Sequence, residues 1–188
     1  CGPNSGHHAS GYRHNVGGGH MHPDVGHLIL HAEGDWLLTD GGYTKKFTQY
    51  RNTVLVNGIG QTGEGGVWFE DLEMRRGKAE GCIRFAGPHG GADYAIGDAA
   101  PAYEYAAGVT RFLRHLIYLK PRLWVVVDEL TTQADASFEW RFHGPRAFTA
   151  AGPGAWDQRG ERGALRLLTL GPTAVNGVAR AEKALGAH

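Results

Sequence analysis

Short apolar runs separated by glycine-rich turns recur along the chain. The runs are four to eleven residues long and contain Val, Trp and Phe, which is typical of β-strands. Thirty glycines supply the turns between them. The runs predict strands over 27–32, 35–40, 52–58, 65–70, 81–87, 109–119, 122–130, 137–144 and 164–170. We therefore expect an antiparallel β-sandwich or barrel of roughly nine or more strands.

Individual segments refine this pattern. Phe138, Trp140 and Phe142 alternate with polar residues, which predicts a strand in a sheet with one solvent-facing side. Segment 119–122 contains a proline and predicts a turn between two strands. Segment 97–106 predicts a polar loop, to which we assign no catalytic or binding role. A helical pattern is weak along the chain except over 178–186. Trp68, Trp124 and Trp140 are more typical of a sandwich core than of sugar stacking.

Residues 1–17 show no apolar periodicity. We interpret 1–17 as an irregular leading segment or the remnant of an upstream region, and 18–188 as one β-sandwich domain. A chain of 188 residues can bury a core without disulfides or metals, and its two cysteines, Cys1 and Cys82, do not indicate a disulfide framework.

The net charge of the chain limits the classes of partner that it can bind. Lys and Arg total 19 and so do Asp and Glu, and this zero net charge argues against a nucleic acid. An anionic sugar is compatible with it, because a few local cations in a groove suffice. No apolar run approaches the ~20 residues of a membrane-spanning helix, so no membrane span is expected.

The segment GGGHMHPDVGHLIL (17–30) holds the first candidate chemistry. His20 and His22 are two residues apart, so on an extended backbone both side chains face one side. The next predicted strand ends in Asp40, which an antiparallel pairing brings back beside the start of the first. His22 and Asp40 are therefore candidate ligands of the kind zinc accepts. The alternative is that Asp24 and Asp40 cap turns and the histidines are half-exposed.

A cupin also places His-x-His on a β-barrel, but it requires a Glu soon after the second histidine. The first Glu here is Glu33. The spacing therefore disfavours a cupin.

Five segments in order carry a more specific signal. They are GGHMHPDVGHLIL, WLLTDGGY, RNTVLVNGIGQ, LIYLKPRLWVVVDEL and FEWRFHG. This ordered set, from about Gly18 to Gly144, resembles the β-sandwich portion of the heparinase II/III-like polysaccharide lyases, which include the alginate and oligo-alginate lyases.

The resemblance implies an antiparallel β-sandwich that follows an α/α toroid, with the substrate in the cleft between them. No toroid is expected within this chain, so the upstream helical toroid domain becomes an expected partner. The implied reaction is β-elimination on an acidic, uronic-acid-containing polysaccharide or oligosaccharide, either heparin- or heparan-like (a glycosaminoglycan) or alginate-like. The implied location is the periplasm or outside of a bacterial cell. We expect these 188 residues alone to have little or no lyase activity.

The resemblance also implies roles for residues. His20 would act on the substrate carboxylate or as the base, while His22 and Asp40 would hold a structural zinc. The third zinc ligand in the family is a histidine just before the "NT" strand, where this chain has Arg51, which cannot ligate a metal. Tyr43 follows the "TDGG" turn, where the family often places a tyrosine near the substrate.

Two outcomes for Arg51 stay open. Another histidine (His89, His115 or His143) could complete the zinc site, or Arg51 could pair with Asp40 or with a sugar carboxylate; we favour the pairing. Tyr50 competes with Tyr43 for the substrate, and His115 and His143 are otherwise interpreted as core or surface histidines.

Two other functions remain as alternatives. One is a non-catalytic carbohydrate-binding or structural β-sandwich, which the loss of the third ligand favours. The other, weaker one is a metalloenzyme with hydrolytic water at His20, His22 and Asp40.

Overall fold

The computed structural model describes residues 22–62, 64–65 and 81–171. Within them the backbone forms eleven strands, an α-helix and a 3-10 helix. The strands are β1 (Leu30–Ala32), β2 (Asp35–Leu38), β3 (Val54–Val56), β4 (Cys82–His89), β5 (Ala92–Asp98), β6 (Val109–Leu119), β7 (Leu123–Thr132), β8 (Phe138–Trp140), β9 (Thr149–Gly152), β10 (Ala155–Arg159) and β11 (Ala164–Leu168). The α-helix is α1 (Ala100–Ala107) and the 3-10 helix spans Thr48–Tyr50.

The chain divides into two compact units. The first contains Cys1–His27 and Gly41–Arg141, and the second contains Leu28–Asp40 and Phe142–His188. In the first unit β4, β5, β6 and β7 form an antiparallel sheet in that order, and β3 pairs with β8. In the second unit β1 pairs with β2, and β9, β10 and β11 form a three-stranded antiparallel sheet.

The core of the first unit surrounds strand β3, whose three residues are all buried. Its buried members are Val54, Val56, Ala99, Ala102, Tyr103, Val109 and Phe112. The hydroxyl of Tyr103 donates a hydrogen bond of 2.7 Å to the carbonyl of Val54, which satisfies a polar group that burial would otherwise penalise. Burial raises the pKa of Tyr103. This core therefore holds a neutral phenol.

A buried ion pair ties the sheet to two neighbouring segments. The guanidinium of Arg114 on β6 makes two 2.8 Å hydrogen bonds to the carboxylate of Asp128 on β7. The same guanidinium donates to the carbonyls of Gly26 at 2.6 Å and Asn52 at 2.8 Å. Arg114 and Asp128 are 6% and 3% exposed, so water screens this pair little. The pair therefore fixes the backbone near His22 and Arg51 on one face of the sheet.

In the second unit a carboxylate organises a turn. The Oδ2 atom of Asp35 accepts backbone N–H bonds from Arg162 at 2.7 Å and Gly163 at 2.6 Å. These bonds, with that of Gly163 the stronger, lower the pKa of Asp35.

The strand content and antiparallel pairing confirm the predicted all-β class, and the several sheets are consistent with a β-sandwich. Within the described ranges there is no toroid. The predicted turn at 119–122 is confirmed between β6 and β7. Residues 66–70 of a predicted strand and the weak helical segment 178–186 lie outside the described residues. No helix of the described portion is long and apolar enough to cross a membrane.

The predicted loop over 97–106 is wrong, because α1 occupies Ala100–Ala107. Two signals point to this helix. The side chain of Asp98 accepts a 3.1 Å hydrogen bond from the Ala100 N–H, and Pro101 lies in the first turn, where it costs no hydrogen bond. The alanine-rich sequence then favours a helix over a loop.

Strands β5, β9 and β10 were not predicted. Each contains glycine or charged residues, so its apolar pattern is weak. The expectation that Trp124 and Trp140 lie in the core is also wrong, because they are 39% and 40% exposed. The indole of Trp124 stacks on Tyr118 with centroids 4.0 Å apart, and the indole N–H of Trp140 donates to Asp128. Trp68 lies outside the described residues.

Candidate functional site

Two segments of the first unit place an imidazole against an exposed tyrosine. The ring centroids of His22 and Tyr43 are 5.5 Å apart with an interplanar angle of 43°. His22 is half-buried and Tyr43 is 50% exposed. The 3-10 helix Thr48–Tyr50 reverses the chain after Tyr43, and the Gly41 N–H donates to the Tyr50 carbonyl at 2.9 Å. The short helix thus closes the loop that presents Tyr43.

The buried side chain of Arg51 contacts the loop that carries Tyr43. The Nη2 atom of its guanidinium contacts Nδ1 of His22, donates to the Lys45 carbonyl at 2.7 Å, and lies 3.3 Å from the Gly42 carbonyl. One cation therefore joins the segment that begins at His22 to the loop that carries Tyr43.

We infer the tautomer of His22 from this contact. A guanidinium only donates hydrogen bonds, so Nδ1 of His22 accepts one. In a neutral imidazole whose Nδ1 is the acceptor, Nε2 carries the hydrogen. In this tautomer the hydrogen-bond donor of the His22 ring is Nε2.

The same loop also carries a lysine and two further aromatic side chains. The ammonium of Lys45 lies 4.4 Å from the centroid of the Tyr50 ring. Phe47 is 45% exposed and packs edge-on against Tyr50, with centroids 6.3 Å apart. We name the surface formed by His22, Tyr43, Lys45, Phe47 and Tyr50 the His22–Tyr43 patch. It combines aromatic rings with hydrogen-bond donors and a positive charge.

Side chains behind the patch hold its backbone. Nδ1 of His27 accepts the N–H of Asn52 at 2.8 Å. The amide of Gln61 bonds both backbone groups of Val25, accepting from its N–H at 3.1 Å and donating to its carbonyl at 2.8 Å. These bonds give segment 22–27 a defined backbone position.

The structure brings three of the predicted site residues together, namely His22, Tyr43 and Arg51. Asp40 is exposed and belongs to the second unit. His20, the predicted catalytic residue, lies outside the described residues, so its role stays a prediction. Because Arg51 is fully buried, a sugar cannot touch it in this arrangement, and Arg51 affects the patch through His22 and the loop carbonyls.

The predicted zinc also stays a prediction. In the described ranges, which exclude His20, no group of three or more His, Cys, Asp and Glu side chains could hold a metal ion. The assignment of His22 as a zinc ligand therefore stays a prediction, and its Nδ1 atom contacts the guanidinium of Arg51.

Sequence reasoning missed Lys45 and the contact between His22 and Arg51. Lys45 carried a weak signal, since a basic pair, Lys45 and Lys46, lies between two tyrosines. The contact carried no sequence signal, because 29 residues separate its partners.

Comparison with known proteins assigns the chain to a family. No curated protein matches it significantly. The family model described as "Heparinase II/III-like, C-terminal" matches residues 6–169, which is most of the chain. It supports a domain related to polysaccharide lyases, in agreement with the ordered segments of the sequence. The chain therefore belongs to the heparinase II/III-like C-terminal domain family.

Proposed function

We propose that this chain is the β-sandwich part of a lyase that cleaves a uronic-acid-containing polysaccharide by β-elimination, outside the cytoplasm of a bacterium. The observation that carries the proposal is the His22–Tyr43 patch, where an exposed tyrosine packs on a histidine and the same loop carries a lysine over the ring of Tyr50. Membership of the family supports the polysaccharide substrate. We further propose that an upstream helical toroid forms the other wall of the cleft.

The reaction makes three demands. The uronate carboxylate must be neutralised, the C5 proton must be removed, and the departing O4 must be protonated as the C4–O4 bond breaks and a C4–C5 double bond forms. We assign the first demand to the ammonium of Lys45 and the Nε2–H of His22, because both are donors at one patch. His20 and groups from the toroid are assigned the removal of the proton.

We consider two roles for Tyr43 at such a site. The first is stacking on a sugar ring, and the second is exchange of a proton with O4. The 50% exposure of Tyr43 and its contact with His22 suit both. Arg51 is a positioning residue in this proposal, since its charge orients His22 and holds the Gly42 and Lys45 carbonyls from a buried position. No step is assigned to a metal.

The test uses the chain joined to its natural upstream region. Incubation with alginate-like and heparin-like polymers should produce the absorbance of unsaturated uronate, and a neutral glucan should produce none. The chain without the upstream region should produce little or none. Full turnover by these 188 residues alone would contradict the divided site.

Variants of the joined protein assign the roles. Lys45→Met should raise KM for the uronate polymer, and Tyr43→Phe should separate stacking, which it keeps, from proton exchange, which it removes. Tyr118→Phe is the matched control, because the Tyr118 hydroxyl bonds only the Pro121 carbonyl among the described groups. Equal effects of Tyr43→Phe and Tyr118→Phe would contradict a role for Tyr43.

Arg51 stands where the resemblance to the family implies a third zinc ligand. This replacement favours a second candidate function, a non-catalytic carbohydrate-binding β-sandwich. In that case the joined protein should bind uronate oligosaccharides in a calorimetric titration, and Lys45→Met should weaken binding. No unsaturated product should form under any condition in which binding is complete.

A further inference from the structure

A chain of hydrogen bonds crosses the four-stranded sheet of the first unit. The hydroxyl of Tyr94 on β5 contacts Nδ1 of His115 on β6. Nε2 of His115 is 2.8 Å from Oε1 of Glu129 on β7. The Nε atom of Arg111 donates at 2.8 Å to Oε2 of the same carboxylate. Three strands thus supply a tyrosine, a histidine and a carboxylate in the order of a nucleophile, a base and an orienting acid.

The hydrogen-bond partners of His115 indicate which atoms carry the protons in this chain of bonds. Hydrogen bonds from Arg111, and secondarily from His115, lower the pKa of Glu129, so its ionised form accepts. The Nε2–H of His115 therefore donates to Glu129, which leaves Nδ1 as the acceptor. The hydroxyl of Tyr94 in turn donates to Nδ1. Both hydrogen bonds are therefore donated in the direction from the phenol toward the carboxylate.

This cluster lies on the opposite face of the sheet from the support of the His22–Tyr43 patch. Neighbouring residues of a strand point to opposite faces. Arg114 contacts Gly26 and Asn52, so His115 projects from the other face. His115 is 16% exposed and Glu129 is 42% exposed, which leaves the chain of bonds accessible from solvent.

Aromatic rings border the phenol on this face. The centroids of Phe85 and His89 lie 5.7 and 6.1 Å from that of Tyr94, and the ring of His115 is nearly parallel to it at 5.9 Å. Phe85 is 41% exposed. A small ligand that reaches the Tyr94 hydroxyl would therefore meet an aromatic border.

We propose that Tyr94 is the nucleophile of an acyl-transfer site, with His115 as its general base, Glu129 as the orienting residue and an acyl ester as the substrate class. The Tyr94 oxygen bonds to the carbonyl carbon while its proton passes to Nδ1 of His115. The ester C–O bond then breaks, and His115 gives the proton to the departing oxygen. The acyl group remains on Tyr94. This inference does not depend on the proposed lyase function.

The probe is p-nitrophenyl acetate, whose acyl group can be located on each tyrosine by mass spectrometry of peptides. Tyr118 is an internal control, because it is half-buried like Tyr94 and lies in the same sheet. Its hydroxyl donates to a backbone carbonyl at 2.7 Å, which cannot take a proton. We expect Tyr94 to be acetylated at least about tenfold faster than Tyr118, a modest fraction of what a positioned base contributes.

Variants identify the base and the orienting residue. Tyr94→Phe should abolish the fast release of p-nitrophenolate, and His115→Phe and Glu129→Gln should reduce the Tyr94 rate to that of Tyr118. Circular dichroism would show whether each variant is folded. The wild-type ratio of Tyr94 to Tyr118 decides the matter even if a variant does not fold.

A wild-type ratio near one would overturn the proposal, and so would a folded Glu129→Gln variant that retains the full ratio. The lyase assays at the patch would be unaffected by either result, so the two proposals fail separately.

Discussion

His22 and His115 share a tautomer but lie in opposite electrostatic surroundings. The Nδ1 atom of His22 faces the buried guanidinium of Arg51, a cation that cannot give up its proton. The Nδ1 atom of His115 faces the hydroxyl of Tyr94, and its Nε2 atom faces the carboxylate of Glu129. Protonation of His22 would place two cations in contact, whereas protonation of His115 would place a cation beside an anion.

The difference shows that the neighbours of a histidine determine which task it can perform. An imidazole held against a guanidinium acts as a neutral donor through Nε2 and suits ligand binding. An imidazole between a phenol and a carboxylate can take a proton and remain stabilised, which suits proton transfer. We therefore assign binding to His22 and proton transfer to His115.

The largest effect tests the buried ion pair that supports the His22–Tyr43 patch. Arg114→Ala should lower the free energy of unfolding by about 3–5 kcal/mol, because it leaves the buried carboxylate of Asp128 without its cationic partner and with only the indole N–H of Trp140 as a donor among the described side chains. It also removes the donor to the Gly26 and Asn52 carbonyls behind the patch. Urea denaturation of the purified chain measures the change. Arg111→Ala, whose side chain is 51% exposed, is the control and should change little.

A smaller effect tests the surroundings of His22. Arg51→Met should lower the free energy of unfolding by about 1–3 kcal/mol, because the Gly42 and Lys45 carbonyls lose their donor. Nitrogen NMR of the wild-type imidazole should find the hydrogen on Nε2 of His22, and the variant should show a mixture of tautomers. A hydrogen on Nδ1 in the wild type would contradict the contact with Arg51.

The smallest effect concerns the acid dependence of the His115 region. The pKa of Glu129 is lowered by hydrogen bonds from Arg111 and then His115. A carboxyl whose folded pKa is depressed stabilises the fold above its ordinary value of about 4.5 and loses that contribution as pH falls through the folded pKa. Glu129→Gln should therefore flatten the fall of Tm on the acid side. An unchanged acid slope would argue that the interaction does not persist in solution.

Much of the fold followed from local pattern. Strand β6 was predicted with the correct bounds, because its eleven residues are apolar at many positions and β-branched or aromatic at several. Strand β5, in contrast, reads ADYAIGD and carries no clear alternation, so its place in the sheet depends on its pairing with β4 and β6. Helix α1 had readable signals in Asp98 and Pro101 that the expectation of a polar loop overlooked.

The candidate site was less predictable. The order of motifs identified the family, and the turn at "TDGG" indicated Tyr43, which the structure brings against His22. The expectation that Arg51 meets a sugar or Asp40 did not anticipate its burial or its contact with His22. The sequence shows that residue 51 is a charged arginine, but it does not show which side chains surround it.

The sequence by itself determined the all-β class, the family and the segments that carry the candidate residues, because strand periodicity and motif order are local properties that survive without coordinates. Only the tertiary structure decided which partners each histidine has. Arg51 and His22 are 29 residues apart, and His115 is 14 residues from Glu129 and 21 from Tyr94. Folding brings these groups within hydrogen-bond distance, and at that distance the sign of the neighbouring charge sets their chemistry.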